Sequence, residues 1–246
     1  MGRLEGKVAI ITGAGAGMGL ASTKRFLEEG AHVVAAEIAD EGLARLRDLP
    51  GCTAVRANIA VQADVDELVA TAERLGGLDI VFNNAGIMDG FKMAGEVTDS
   101  IWERVIAVNL TGPMMLCRAA LPIMQRARRG VIINTSSIAG FTGAKGGAAY
   151  TASKHGLIGL SRSIAATYAP DGIRCVVIAP GSVATGMELG GQLSQRALDT
   201  FKKTSGASPR GSDPVEVANV AVFLASDEAS FVNGAVIAVD GGWTAF

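Results

Sequence analysis

At 246 residues and 25.1 kDa, the chain has the length of one large α/β domain rather than two small ones. Hydrophobic residues make up 49% and charged residues 19%, with 32 glycines, which excludes a disordered chain and suits a buried core joined by tight turns. A net charge of -2 offers nothing to a polyanion, so nucleic acid is excluded as a partner, and Arg126, Arg128 and Arg129 read as the solvated end of a helix.

Short β-branched runs alternate with helical patterns along the chain. Strands are expected at Val8–Ile11, His32–Ala36, Cys52–Arg56, Ile80–Asn83, Val131–Thr135, Arg174–Ala179 and Ala235–Val239. Helices are expected at Gly19–Glu29, Val65–Arg74, Ser100–Gln125, Ala149–Tyr168 and Pro214–Ser226, with Pro113 bending the long central one. Seven strands in steady alternation, joined by right-handed crossovers, give an α/β, doubly wound, seven-stranded parallel sheet with helices on both faces. Residues 1–246 read as a single domain. The rhythm breaks from Gly186 to Ser212, a polar, glycine-containing excursion with a weak helical pattern over Leu193–Phe201; long insertions of this kind often form lids or binding loops.

Cys52, Cys117 and Cys175 are odd in number and form no CxxC pair, and with His32 and His155 the only histidines no metal site is expected. Met1–Gly6 leads straight into the first strand with no signal-peptide core, and no apolar run approaches the roughly 18 residues that span a bilayer. The expectation is a cytoplasmic protein with reduced thiols and no membrane partner.

The first strand runs into Thr12-Gly-Ala-Gly-Ala-Gly-Met-Gly19 and then a helix. Glycines let a backbone approach a pyrophosphate, and a helix N-terminus adds free N–H groups and a positive dipole. Strict G-x-G-x-x-G spacing fails at Leu20; the fit is Thr-Gly-x-x-x-Gly-x-Gly through Gly13, Gly17 and Gly19. Glu37 follows the second strand about 20 residues on, where an acid binds the adenosine ribose hydroxyls and repels a 2′-phosphate. With neither Arg nor Lys at Ala16 or Ile38, NAD is expected over NADP. Further on, Tyr150 and Lys154 stand four apart, on one face of a helix. A cation there favours the ionised phenol, and a phenol that ionises near neutrality is a general base. Alone, that spacing is common on surface helices.

In order, these motifs resemble the short-chain dehydrogenase/reductase family, in its single-domain, Rossmann-type form. The likeness rests on the Thr12–Gly19 loop, Asn83-Asn-Ala-Gly86, Asn109 in Val108–Gly112, Ser136-Ser-Ile-Ala-Gly140, Tyr150-x-x-x-Lys154, Pro180–Thr185, Phe223–Asp227 and Val239–Gly242. The resemblance implies that Tyr150 is the general acid/base and that Lys154 lowers its pKa and holds the nicotinamide ribose. It implies that Ser137, rather than Ser136, binds the substrate oxygen, and that Asn109 holds a helix bend and a relaying water. Cofactor contacts carried over are Gly13, Ala16, Gly17, Met18 and Gly19, then Glu37, Asn58, Ile59, Asn84, Ala85 and Gly86, and Pro180, Gly181, Val183 and Thr185 after the sixth strand. Asn58 stands where the family often has Asp, and Val176 where it often has Asn.

The resemblance puts the substrate pocket between Met88–Met93, Phe141–Lys145 and the excursion, with Met88, Phe91, Phe141, Met187, Leu189 and Leu193 as candidate contacts. Lys145 and Arg210 read as surface charges. The implied activity is NAD-dependent hydride transfer on a secondary alcohol or ketone. The rivals are a 3-oxoacyl-[acyl-carrier-protein] reductase using NADPH and, from another class, a non-catalytic dinucleotide-binding regulatory protein. A flat face of Ala152, Gly156, Gly159 and Ser163, and the apolar end Trp243–Phe246, with the family's habit, predict a homotetramer or homodimer.

Overall fold

The first strand, β1 (Val8–Thr12), is buried at all five positions, as a central strand covered on both faces must be. In the computed structural model, which describes residues 2–204 and 210–245, it is flanked by β2 (His32–Glu37) and β4 (Ile80–Asn83). With β3 (Cys52–Arg56), β5 (Gly130–Thr135), β6 (Ile173–Pro180) and β7 (Val236–Val239), the order is β3-β2-β1-β4-β5-β6-β7, all parallel. The chain winds outward from β1 in one direction and then, from β4, in the other. The crossovers therefore leave opposite faces at that point and open a crevice above the carboxyl ends of β1 and β4.

One face of the sheet is covered by α3 (Gln62–Arg74), α5 (Gly112–Ala127) and α6 (Ala148–Tyr168), which bury Leu68, Leu116 and Ile164 with Ile10 and Val81. The other is covered by α1 (Gly17–Glu28), α2 (Asp40–Leu46) and α8 (Pro214–Ala225), which bury Phe26, Leu46 and Val222 with Ile11 and Phe82. All seven expected strands form, with ends within two residues of the sequence boundaries. The short α2 was not foreseen. The weak pattern in the excursion becomes α7 (Gln195–Thr204), while 205–209 lie outside the described residues.

The expected central helix divides into α4 (Asp99–Ile106), a π-helical turn over Ala107–Thr111, and α5. Pro113 has no N–H for the carbonyl of Asn109 four residues back, so the α pattern cannot run through. The Gly112 N–H bonds instead to the Ala107 carbonyl, five residues back. By length and hydropathy alone the 99–127 run could cross a membrane, against expectation, but its apolar residues Val105, Leu116 and Met124 are fully buried inside the protein.

Candidate active site

The nucleotide end of the crevice is built from backbone. Thr12, at the end of β1, is fully buried, and its hydroxyl accepts the N–H groups of Asn84 and Ala85, each at 3.0 Å. Asn84 Nδ2 donates back to the Thr12 carbonyl at 3.0 Å, locking the ends of β1 and β4 together. The loop into α1 turns at Gly13 and Gly17, whose φ of 62° and 49° favour glycine. A Cβ on Gly19 would stand 1.9 Å from the Gly13 carbonyl oxygen, so only glycine allows α1 to close on its loop. Ala16 supplies no side-chain cap, leaving the first-turn N–H groups of α1 without one.

A groove of about 660 Å³ crosses this loop. Of the residues assigned to the cofactor, Gly13, Ala16, Gly17 and Met18 form its floor, Glu37, Asn58 and Ile59 one end, and Asn84, Ala85 and Gly86 the middle. Thr185 closes it from above, its Cβ 2.8 Å from where a side chain on Gly17 would begin. Gly19, Pro180, Gly181 and Val183 do not line it, nor do Tyr150 and Lys154, which were also expected to touch the cofactor. Pro180 ends β6, and Val183 bridges to Ser212 and packs in the core.

The Glu37 carboxylate accepts from Gly15 N at 2.9 Å, Ile38 N at 2.8 Å and Ala39 N at 3.0 Å, so it shapes the glycine loop as well as facing the groove. The sequence reading found no base near this end, but folding brings two. Arg45 Nη1 reaches the Gly15 carbonyl at 3.2 Å and Arg56 Nη1 the Ile38 carbonyl at 2.8 Å, with Glu41 and Asp40 as their respective ion-pair partners. Asn58 uses its Oδ1 to accept Ala60 N at 3.0 Å, a local turn bond that a carboxylate would make equally well.

At the other end, α6 carries Tyr150 and Lys154 into the crevice, both buried. Lys154 Nζ donates to the Thr135 carbonyl at 2.8 Å and lies 5.6 Å from the centre of the Tyr150 ring. Burial pulls the ammonium pKa down to about 8. Burial also pushes the Tyr150 phenol above its ordinary value. A hydrogen bond from Ser137 opposes that shift, and the charge of Asp89 adds to it. The lowering expected from the sequence belongs to Lys154 acting with a bound cationic cofactor; in the chain by itself burial is the largest influence on the phenol. Ser137 also accepts Ala139 N at 3.1 Å, while Ser136 is spent on the Lys154 carbonyl at 2.9 Å.

Asn109, fully buried in the π turn, accepts Ile87 N and donates to the Ile87 carbonyl, both at 2.9 Å, and reaches Ser153 Oγ at 3.2 Å. Its side chain therefore fixes the β4 loop to α6. Val176 sits in the apolar core, and the buried polar link runs through Asn83, Asn134 and Ser161 instead.

Around Tyr150, Met88, Phe91, Ala139 and Ala197 form one apolar cluster, backed by Met93, Leu193 and Phe201. Met88 and Met187 also line the cofactor groove. Phe141, Met187 and Leu189, at 41%, 40% and 45% exposure, are not in that cluster, so three of the six predicted substrate contacts are not gathered beside the tyrosine. The excursion closes over the crevice through backbone: Gly90 N bonds the Leu189 carbonyl at 2.7 Å, and Ser194 N bonds the Gly90 carbonyl at 3.3 Å.

The sequence reading missed what braces this lid. Phe201 stands edge-on to Phe91 at 5.8 Å and to Trp243 at 6.0 Å. Lys145 Nζ, far from being a plain surface charge, lies 4.6 Å from the Trp243 ring centre and 5.5 Å from that of Phe201. Trp243, expected at a subunit contact, is thus buried within its own chain, and Phe246 lies outside the described residues. Asp89, fully buried behind Tyr150, was missed as well.

Residues 13–244 match the family model described as enoyl-(acyl carrier protein) reductase. The short-chain dehydrogenase/reductase olcF of Penicillium canescens is 44% identical over 99% of both chains. The 3beta-hydroxysteroid dehydrogenase 2 of Eggerthella lenta is 39% identical over 99% of this chain and 96% of its own, and the meso-2,3-butanediol dehydrogenase of Serratia marcescens 40% over the same shares. The crystal structure of levodione reductase superposes with a TM-score of 0.87 at 33% identity, covering 98% of this chain and 99% of that one. Identity at this level over the whole length, on the same sheet, makes the chain a member of the short-chain dehydrogenase/reductase family of oxidoreductases.

Proposed function

We propose that the protein is an NAD-dependent oxidoreductase that moves a hydride between the nicotinamide and a secondary alcohol or ketone, with Tyr150 as the general acid/base. The observation that carries the reading is the convergence of Tyr150, Lys154 and Ser137 beside a glycine-floored groove. The groove fits a dinucleotide: a side chain at Gly13 or Gly17 would be strained, and one at Gly19 would strike the loop. Lys154 commits one of its three donors to Thr135, which leaves two for ribose hydroxyls. Bound there, the nicotinamide supplies the hydride acceptor in oxidation and the donor in reduction.

The residues of the chain handle position and the proton. Ser137 donates to the substrate oxygen, and Tyr150 takes the hydroxyl proton in oxidation and returns it in reduction. Because burial alone raises the phenol, the cationic side of the site, Lys154 together with the oxidised cofactor, brings it back toward neutrality. The apolar cluster around Phe91 and Ala197 excludes water and suits a substrate of moderate size, and relatives named for a steroid, a butanediol and levodione support hydroxyl and carbonyl chemistry. NADH absorbance followed with NAD or NADP over a panel of cyclic and acyclic secondary alcohols and 3-hydroxyacyl compounds tests the reading. Turnover of none of them with the cofactor bound favours the regulatory alternative.

Glu37 is the proposed selector for NAD. Wild-type kcat/KM is expected to favour NAD over NADP at least tenfold, and Glu37→Gln, which removes the charge that repels a 2′-phosphate, is expected to bring the ratio toward parity. A wild-type preference for NADP sinks this assignment. That result would move the reading to the NADPH-linked ketoreductase, which the placement of Arg45 and Arg56 at the adenosine end favours.

A homotetramer completes the proposal. Strand β7 is a sheet edge with one neighbour, and Phe231 beside it and Phe223 on α8 are exposed. On α6, Gly159 and Ser163 remain exposed, while Gly156 already packs on Leu110. Multi-angle light scattering at micromolar concentration is expected to give four subunits, and a stable monomer removes the idea.

A further inference from the structure

We infer that Asp89 is a positioning residue that caps the catalytic helix from outside and sets both where Tyr150 stands and how readily it ionises; the inference rests on the general acid/base reading of Tyr150. Helix α6 lacks a cap of its own: Gly147 precedes it without a side chain, and no acid lies in its first turn. Tyr150 is the third residue of that helix, so its N–H is one of those no helical carbonyl can satisfy. Asp89, 61 residues earlier in the chain and fully buried, accepts that N–H on Oδ2 at 2.9 Å. Its Oδ1 accepts Gly147 N at 3.2 Å and Phe91 N at 3.1 Å. A Cβ on Gly147 would stand 2.4 Å from both carboxylate oxygens, so the helix start is shaped around this one carboxylate.

The same carboxylate holds the substrate side. Phe91 is left-handed, φ 55°, a conformation costly for a bulky residue, and its N–H bonds Asp89. Phe91 then packs against Phe201 of the lid, and Gly90 between Asp89 and Phe91 anchors the lid by backbone. One buried charge thus fixes the tyrosine, the pocket wall and the lid anchor together. The charge also lies close enough to disfavour the phenolate, while screening the positive end of α6. The other charged groups on the surrounding elements are Lys92 and Glu96 on the same loop, Asp99, Glu103 and Arg104 on α4, Lys145 ahead of α6, Lys154, His155 and Arg162 on α6, Glu188 in the excursion, and Arg196, Asp199, Lys202 and Lys203 on α7.

Asp89→Asn keeps the size but removes the charge and one of the two acceptor oxygens, so the amide NH2 faces either Tyr150 N or the Gly147 and Phe91 N–H pair. Its kcat is expected to fall about tenfold with NADH Kd within twofold of wild type. The ascending limb of the pH profile for oxidation is expected to move to lower pH by about one unit, since loss of a negative charge lowers the phenol pKa. A wild-type kcat and limb overturn the inference, as does a lower Tm with an unmoved limb, which assigns Asp89 to stability alone. If Asp89→Asn does not fold, Gly147→Ala, which drives the carboxylate off its seat, is expected to lower kcat at least fivefold with NADH Kd unchanged, and a wild-type kcat overturns the inference. Tyr150→Phe run alongside separates the two failures. An active Tyr150→Phe removes the acid/base reading itself, whereas an inactive one beside a wild-type-like Asp89→Asn removes only the positioning role.

Discussion

Tyr150→Phe is expected to lower kcat/KM by at least 10³-fold while NADH binds within threefold of wild type. A positioned proton donor or acceptor is worth about 10²–10⁴ in rate. Ser137 bonds the phenol and lies at the right place, but a serine hydroxyl does not ionise near neutrality, so it orients rather than takes the proton. The substitution removes one oxygen and leaves the ring in its apolar cluster, so Tm should change by only a few degrees. Retained binding separates loss of chemistry from loss of the site. A variant with kcat within tenfold of wild type would show that the proton moves by another route.

The seven strands and the glycine loop were legible because each depends on local sequence. Alternating apolar runs define parallel strands, and Gly13, Gly17 and Gly19 are demanded by backbone geometry at their own positions. The pairing of Thr12 with Asn84 could not be read, since it joins residues 72 apart that no local pattern connects. Helix α2 was missed because seven residues with two buried leucines give too short a period to detect. The lid brace, Phe91 to Phe201 to Trp243 with Lys145, draws on four separate segments. Asp89 fell within the Met88–Met93 segment expected to wall the pocket and was given no role of its own; its bond to the start of α6, 61 residues on, leaves no local pattern. The desolvation that raises the Tyr150 phenol in the chain by itself was not legible either, because spacing shows the lysine's charge and not the burial around the ring.

The same desolvation acts on Lys154, and the second large effect follows from it. Lys154→Met is expected to abolish turnover, by about 10²–10⁴-fold, and to weaken NADH binding, yet to stabilise the cofactor-free protein near pH 7. Folding carries an ammonium of ordinary pKa 10.5 into a site where it titrates at about 8, because burial disfavours the charged form. Below about pH 8 the lysine is charged in both the folded and unfolded chains, so the burial penalty, about 3 kcal/mol for such a shift, is felt in full. Between about pH 8 and 10.5 the unfolded chain binds more protons than the folded one, and stability rises with pH until the penalty is gone. Methionine fills a similar volume without charge, but leaves the Thr135 carbonyl unpaired, an opposing cost of about 1–2 kcal/mol. The net gain at pH 7 is therefore about 1–2 kcal/mol, and it should vanish or reverse by pH 10. Denaturant titrations of the two proteins at pH 7 and pH 10, taken as a difference, cancel every other titrating group. A variant less stable than wild type at pH 7 would mean that the ammonium is well solvated by its surroundings. The expected gain would instead mean that Lys154 is retained against folding stability, for a charge that the bound cofactor and an ionising Tyr150 use.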